Sequence, residues 1–141
     1  MPTQLNIYSD GGARGNPGLA AAAYLIMAEN GVVLKTNANF LGKRTNNQAE
    51  YEALNAALEA AVALGAEEVV CYLDSELVCK HLVGEYKVKN PELQKLWKRT
   101  QDLKRRFKIV RFVHVARTEY YICEADRLVN ERLDEEAKRE T

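Results

Sequence analysis

Histidine and cysteine are scarce in this chain: His81 and His114 are the only imidazoles, and Cys71, Cys79 and Cys123 the only thiols. No C-x-x-C spacing occurs, and so few imidazoles argue against a zinc hydrolase. Three thiols are an odd number; free cysteines are the plain reading, with one disulfide as the alternative. No apolar run approaches the ~20 residues of a membrane span. The N-terminus has no basic stretch followed by a long apolar one, which points to the cytoplasm. Repeats, low-complexity tracts and interdomain linkers are also missing. One domain covering 1–141, with a single substantial core, is therefore expected. Nothing marks an obligate protein partner, and a monomer is expected.

Net charge is absent too, because 20 Lys and Arg balance 20 Asp and Glu. The balance hides an uneven distribution. Residues 1–79 hold 4 basic and 9 acidic side chains, residues 80–117 hold 12 and 3, and residues 118–141 hold 4 and 8. The middle segment is thus +9 between flanks of −5 and −4. Such a block either makes a local surface for a polyanion or is a solvated helix face.

What is present alternates clearly. Gln4–Asp10 reads as a strand, followed by a glycine-rich turn. Leu19–Ala28 is an apolar run suited to a buried strand, Asn30-Gly31 signals a hairpin, and Val32–Leu41 returns as a third strand. Thr45–Leu64 is a helix: Thr45 and Gln48 form a capping box, Leu54, Leu58, Ala61 and Val62 make its inward stripe, and Gly65 stops it. Val69–Leu73 is a short buried strand and Ser75–Val83 a short helix. Pro91–Phe107 is a helix with Leu93, Leu96, Trp97 and Leu103 on one face, Ile109–Val115 the fifth strand, and Glu124–Arg139 the closing helix. The order βββαβααβα implies an α/β fold with a five-stranded mixed sheet and helices on both faces.

Four carboxylates sit awkwardly in this pattern. Glu50 precedes Leu54, Ala57 and Ala61 by four, seven and eleven residues, which puts it on the buried stripe of its helix. Asp126 falls in line with Ile122, Val129 and Leu133, although a first-turn position favoured by the helix dipole also accounts for it. Asp74 ends the VVCYL strand, where a lone aspartate usually caps the next helix. Asp10 closes the first strand and on its own would open the Gly11-Gly12 turn. Each has an ordinary explanation; four at one end of one sheet do not. A buried carboxylate costs several kcal/mol unless cations or hydrogen bonds offset it. Oxygen donors without Cys or His suit Mg²⁺, and two such ions roughly 4 Å apart suit phosphodiester hydrolysis.

Around these acids lie the segments YSDGGARGNPG, TNNQAE, LDSE at 73–76, and HVAR…EADRLVN from 114 to 130. With them the chain resembles the ribonuclease H type 1 family, in its compact archaeal and bacterial form, from about Leu5 to Leu133. The resemblance implies the ribonuclease H-like fold. It also implies an endonuclease that hydrolyses the RNA strand of RNA–DNA hybrids, leaving 3′-hydroxyl and 5′-phosphate ends, with relaxed action on double-stranded RNA left open. Asp10, Glu50, Asp74 and Asp126 would be both catalytic and metal-binding, holding two Mg²⁺ that Mn²⁺ can replace. Gly11, Gly12 and Gly15 would let backbone approach the RNA minor groove. Arg14, Asn16, Asn46, Asn47 and Gln48 would contact the hybrid, and Thr45 with Asn16 resembles the family's pocket for a DNA-strand phosphate. A binding module without turnover, and another phosphate-ester hydrolase on the same fold, are the competing readings.

Two departures from the family stand out. The 116–125 segment (ARTEYYICEA) lacks the histidine that many relatives carry before the last aspartate, and it looks about two residues longer. Arg117 or Glu119 is the candidate auxiliary residue, while His114 reads as part of the preceding strand. The Val83–Pro91 connection is too short for a basic protrusion, leaving Lys95, Lys98, Arg99, Lys104, Arg105 and Arg106 for phosphate contacts. Trp97 reads as core rather than a stacking platform.

Overall fold

The computed structural model describes residues 4–139. The elements come in the expected order: β1 Gln4–Arg14, β2 Gly18–Ala28, β3 Val33–Arg44, α1 Asn46–Ala63, β4 Glu68–Leu73, α2 Glu76–Leu82, α3 Pro91–Lys104, β5 Ile109–His114 and α4 Tyr120–Arg139. The first three strands form an antiparallel meander. β4 and β5 add in parallel on the other side of β1, giving the sheet order β3-β2-β1-β4-β5.

Local chemistry accounts for the joints. Asn30 Oδ1 accepts from Val32 N–H at 3.1 Å, and Gly31 takes a φ of 90° that disfavours a side chain. The capping box at α1 is complete: Thr45 Oγ1 accepts from Gln48 N–H, and Gln48 Oε1 accepts from Thr45 N–H. Leu64 closes that helix and Gly65 follows at φ 82°. At α3, Asn90 Oδ1 accepts from the Glu92 and Leu93 amides beside Pro91 in the first turn.

Two boundaries differ from the expectation by four residues, and the ends of β3 and α3 by three. β1 does not stop at Asp10 in a turn. It continues through Gly11, Gly12 and Ala13 to Arg14, opposite Ala22, Ala21, Ala20 and Leu19 of β2. The ladder to that run of small apolar residues outweighs the poor strand propensity of glycine. α4 begins at Tyr120 rather than Glu124. Glu119 starts it, its Oε1 accepting from the Tyr121 and Ile122 amides at 2.6 and 2.9 Å. Most of the apparent long loop is therefore helix.

Alternation along β1 separates two cores. Leu5 and Ile7, with Val69 and Cys71 of β4, face Tyr51, Leu54 and Leu58 of α1, and α2 and α3 complete that side. On the opposite face Val129 and Leu133 of α4 pack on Ala21 and Ala23. Trp97 packs beside the larger core as expected, with its indole N–H buried and unpartnered. All three cysteines are free; Cys71 and Cys79 are buried and Cys123 is exposed. Much of the basic segment is engaged in ion pairs, including Lys80–Glu76, Arg99–Glu59 and Lys108–Glu67.

β1 and α1 approach each other closely at Gly11. A methyl group on Gly11 would stand 2.2 Å from the carbonyl carbon and oxygen of Ala49, whereas one on Gly12 would meet Val129 Cγ1 at 3.7 Å, an ordinary contact. Gly11→Ala is therefore expected to destabilise the fold by about 3 kcal/mol or more, as overpacking against unyielding backbone does. Gly12→Ala should change stability by less than about 1 kcal/mol. Urea unfolding of the two variants side by side tests the contrast; equal stabilities would refute it.

Candidate active site

β1 and β4 run parallel, and their last paired residues are Tyr8 and Tyr72. Asp10 and Asp74 each stand two residues further along, so both leave the carboxyl ends of adjacent strands at one level. Open α/β sheets form their sites there. Asp74 is free to point into this space because Ser75, not Asp74, caps α2, with its Oγ accepting from Val78 N–H. Glu50 arrives from the first turns of α1, and Gly11 N–H donates to its Oε1 at 2.6 Å. One carboxylate oxygen from each of Asp10, Glu50 and Asp74 lies within 4.8 Å of the other two. A cavity of about 670 Å³ opens in front of them, and Asp126, Asn46, Asn47 and Arg117 also line it.

The four acids differ in burial. Asp10 and Glu50 are 6% and 9% exposed, Asp74 is half-buried, and Asp126 is exposed. The expectation that Asp126 lies on the buried stripe of its helix is thus corrected. Ala125 occupies that position, and Asp126, one residue further round, sits at its rim. Nor is Asp126 in a first turn, since α4 starts six residues earlier.

Burial raises the Asp10 carboxyl from its ordinary 3.8 to about 7, with the charges of Asp74 and Asp126 adding to the rise and a hydrogen bond with Glu50 opposing it. Glu50 is also raised, first by burial and then by the neighbouring Asp10 charge, while the Gly11 amide pulls the other way. Like charges held together away from water favour sharing protons or a cation.

The other candidate residues divide into two groups. Asn16 Oδ1 accepts from Asn46 N–H, and Asn46 Oδ1 accepts from Ala13 N–H, so these amides lash the end of β1 to the start of α1. Their NH₂ groups have no partner in those contacts. Thr45 and Gln48 are committed to the capping box, and Gly15 turns the chain at φ 92° before a cis Asn16–Pro17 peptide. Gly11 turns its missing side chain toward α1, not toward the cavity mouth. Arg117 lies at the rim with Nε 3.8 Å from Asp74 Oδ2. Glu119 is taken up as the cap of α4. His114 ends β5 with Nε2 3.2 Å from the Asp74 carbonyl oxygen.

Asn130 was not among the residues expected at this site, yet it lines the cavity. Its Nδ2 donates to Asp126 O at 3.0 Å and lies 3.4 Å from Asp126 Oδ2. The signal was available: an asparagine four residues after an aspartate on one helix face.

The raised Asp10 carboxyl sets a pH dependence. An unfolded chain releases this proton near 3.8 and the folded one near 7. Between those values the native state binds the extra proton, so stability falls as pH rises. In EDTA, urea unfolding should show the protein losing stability from about pH 4 to about pH 7. Asp10→Asn should flatten that fall and stabilise the protein at about pH 8 by on the order of 3 kcal/mol. A wild-type profile already flat over this window would refute the carboxylate crowding.

A family model described as reverse transcriptase-like matches residues 8–131. The bifunctional protein Rv2228c of Mycobacterium tuberculosis is 42% identical over 135 residues; the match covers 94% of this chain but only 36% of that protein. The crystal structure of RNase H1 from Halobacterium salinarum superimposes with a TM-score of 0.90 at 38% identity, over 94% of this chain and 98% of that one. LC11-RNase H1, solved in complex with an RNA/DNA hybrid, gives 0.89 at 40% identity over 94% and 99%. With the mixed sheet and the acidic cluster at its carboxyl ends, these likenesses show that the chain belongs to the ribonuclease H type 1 family.

Proposed function

We propose that this chain is an endonuclease that hydrolyses the RNA strand of RNA–DNA hybrids with divalent cations, leaving 3′-hydroxyl and 5′-phosphate ends. The observation that carries the reading is the convergence of Asp10, Glu50 and Asp74 oxygens within 4.8 Å at the mouth of an open cavity. The structural likeness to an RNase H1 held on an RNA/DNA hybrid supports the substrate.

The donor set fits the cofactor. The three convergent ligand atoms are all carboxylate oxygens, the hard donors that Mg²⁺ takes, and Mn²⁺ accepts the same set. Asp10, Glu50, Asp74 and Asp126 would hold two ions. When bound, these activate a water and stabilise the leaving oxygen of an in-line displacement.

The chain's own groups do the positioning. Gly11 N–H fixes the Glu50 carboxyl, so the donor on the buried side is oriented before substrate arrives. Asn46 and Asn47 face the cavity and offer amides to ribose and base edges, which suits shape recognition of a hybrid over sequence reading. Asn16 braces Asn46, and Thr45 with Gln48 holds the α1 N-terminus beside them, where a phosphate is favoured. Gly12 and Gly15 keep this edge low, and Arg117 is the auxiliary group at the rim. We place this activity in one domain, 1–141, acting as a monomer. Three free thiols suit the cytoplasm, where they stay reduced.

Labelled RNA–DNA hybrid, double-stranded RNA and DNA duplex, each incubated with Mg²⁺ or Mn²⁺, test the proposal. Internal cuts in the RNA of the hybrid are expected. Asp10→Asn should lower the rate by more than the roughly 100-fold that loss of an outer-shell partner typically costs, while hybrid binding persists and weakens steeply with salt. Hybrid cleavage surviving Asp10→Asn would overturn the metal-site assignment; binding without cleavage in the wild type would favour a non-catalytic module.

A further inference from the structure

Arg14, expected to touch substrate, lines the cavity, and its guanidinium reaches across the sheet end to α4. Its Nη2 lies 2.7 Å from Asp134 Oδ1, 3.2 Å from the Asn130 carbonyl oxygen and 3.4 Å from Asn130 Oδ1. Asp126, Asn130 and Asp134 stand four residues apart, so they form one stripe of α4 facing the end of β1. We propose that Arg14, acting through Asn130, is a positioning residue for the Asp126 carboxylate, and that it sets the side of the metal site that α4 contributes. This rests on the proposed two-ion reaction.

The argument turns on donors and acceptors. A guanidinium only donates and an ionised carboxylate only accepts, whereas a primary amide does both, from opposite ends. With Arg14 on one side, Asn130 must present its oxygen there; its NH₂ then faces Asp126. Arg14 thereby selects the amide orientation that supports the aspartate, and the same NH₂ meets the Asp126 carbonyl oxygen at 3.0 Å. Asp126 has most need of such support. It is the exposed member of the four, outside the group whose oxygens lie within 4.8 Å, and it is carried by the opposite face of the sheet from Glu50. Asp134 holds the guanidinium in place from the next turn of α4.

Arg14→Ala, Arg14→Lys, Asn130→Ala and the double alanine variant are compared by steady-state hybrid cleavage, calorimetric titration of the free protein with Mn²⁺, and thermal unfolding. Arg14→Ala and Asn130→Ala are each expected to lower kcat about 10-fold and weaken Mn²⁺ binding about 10-fold, the range for outer-shell partners. KM should stay within about 2-fold, and the double variant should lose no more than either single one, as members of one chain do. Arg14→Lys should recover part of the loss, because one ammonium hydrogen can still meet Asn130 Oδ1. A raised KM with a salt slope smaller by about one and an unchanged Mn²⁺ isotherm would make Arg14 a phosphate contact and overturn the proposal. A lowered melting temperature with kcat and Mn²⁺ binding unchanged would also overturn it, leaving only a structural brace. Should Arg14→Ala not fold, Arg14→Lys and Asn130→Ala decide the matter together. If the wild type cuts no hybrid, the reaction proposed above falls, and the Mn²⁺ titration still reads whether Arg14 positions Asp126.

Discussion

The close approach of α1 to β1 at Gly11 governs the geometry of the site. Without a β-carbon there, the Ala49 backbone lies against the strand, and Ala53, Ala57 and Ala61 follow at four-residue spacing, all buried. That proximity brings Glu50 over the end of β1, where the Gly11 amide meets its carboxylate at 2.6 Å. Glu50 in turn hydrogen-bonds with the buried Asp10 carboxyl. The strand end, the helix start and two buried carboxylates are thus one packing arrangement. Its electrostatic consequence is that both acids resist ionisation in the absence of a cation.

Topology supplies the remaining members. Because β4 lies parallel to β1 and the two leave their ladder together at Tyr8 and Tyr72, Asp74 emerges at the same height as Asp10. α4 crosses the opposite face, seated on Ala21 and Ala23, and carries Asp126 to the rim. Two strands of the sheet, a helix from one face and a helix from the other therefore meet at a single sheet end. The small side chains of β2 allow α4 to sit close enough for its polar stripe to reach Arg14 at the end of β1.

Most of this was legible in the sequence because it depends on local rules. The 3.6-residue period exposed Glu50 as a carboxylate among Leu54, Ala57 and Ala61, and the T-x-x-Q box marked where α1 begins. The elements read less well were those decided by long-range partners. Gly11 and Gly12 signal a turn by propensity, yet pairing with Ala22 and Ala21 keeps them in β1. Tyr120 and Tyr121 read as loop because the helix cap is a glutamate, which is not among the usual capping residues, and because Tyr121 is held by packing on Tyr8. The bonds from Arg14 to α4 were hidden for the same reason: its partners, Asn130 and Asp134, lie 116 and 120 residues away. The periodic pattern put Asp126 in line with buried residues, but one step of about 100° round a helix separates a buried position from a rim.

The gradient of burial across the four acids has its own logic. Four carboxylates all as buried as Glu50 would repel one another in a low-dielectric space, with nothing to hold them ionised. Four as exposed as Asp126 would be screened by water and would hold a cation weakly. The observed arrangement runs from the Asp10–Glu50 pair, through half-buried Asp74, to Asp126 in solvent. The buried pair creates the demand for positive charge, and the open side leaves room for waters and a phosphodiester to reach that charge. The acid on the open side has little packing to orient it, so its orientation must come from hydrogen bonds. In this chain Asn130 supplies such bonds, and its own amide is set by an arginine at the far end of the first strand.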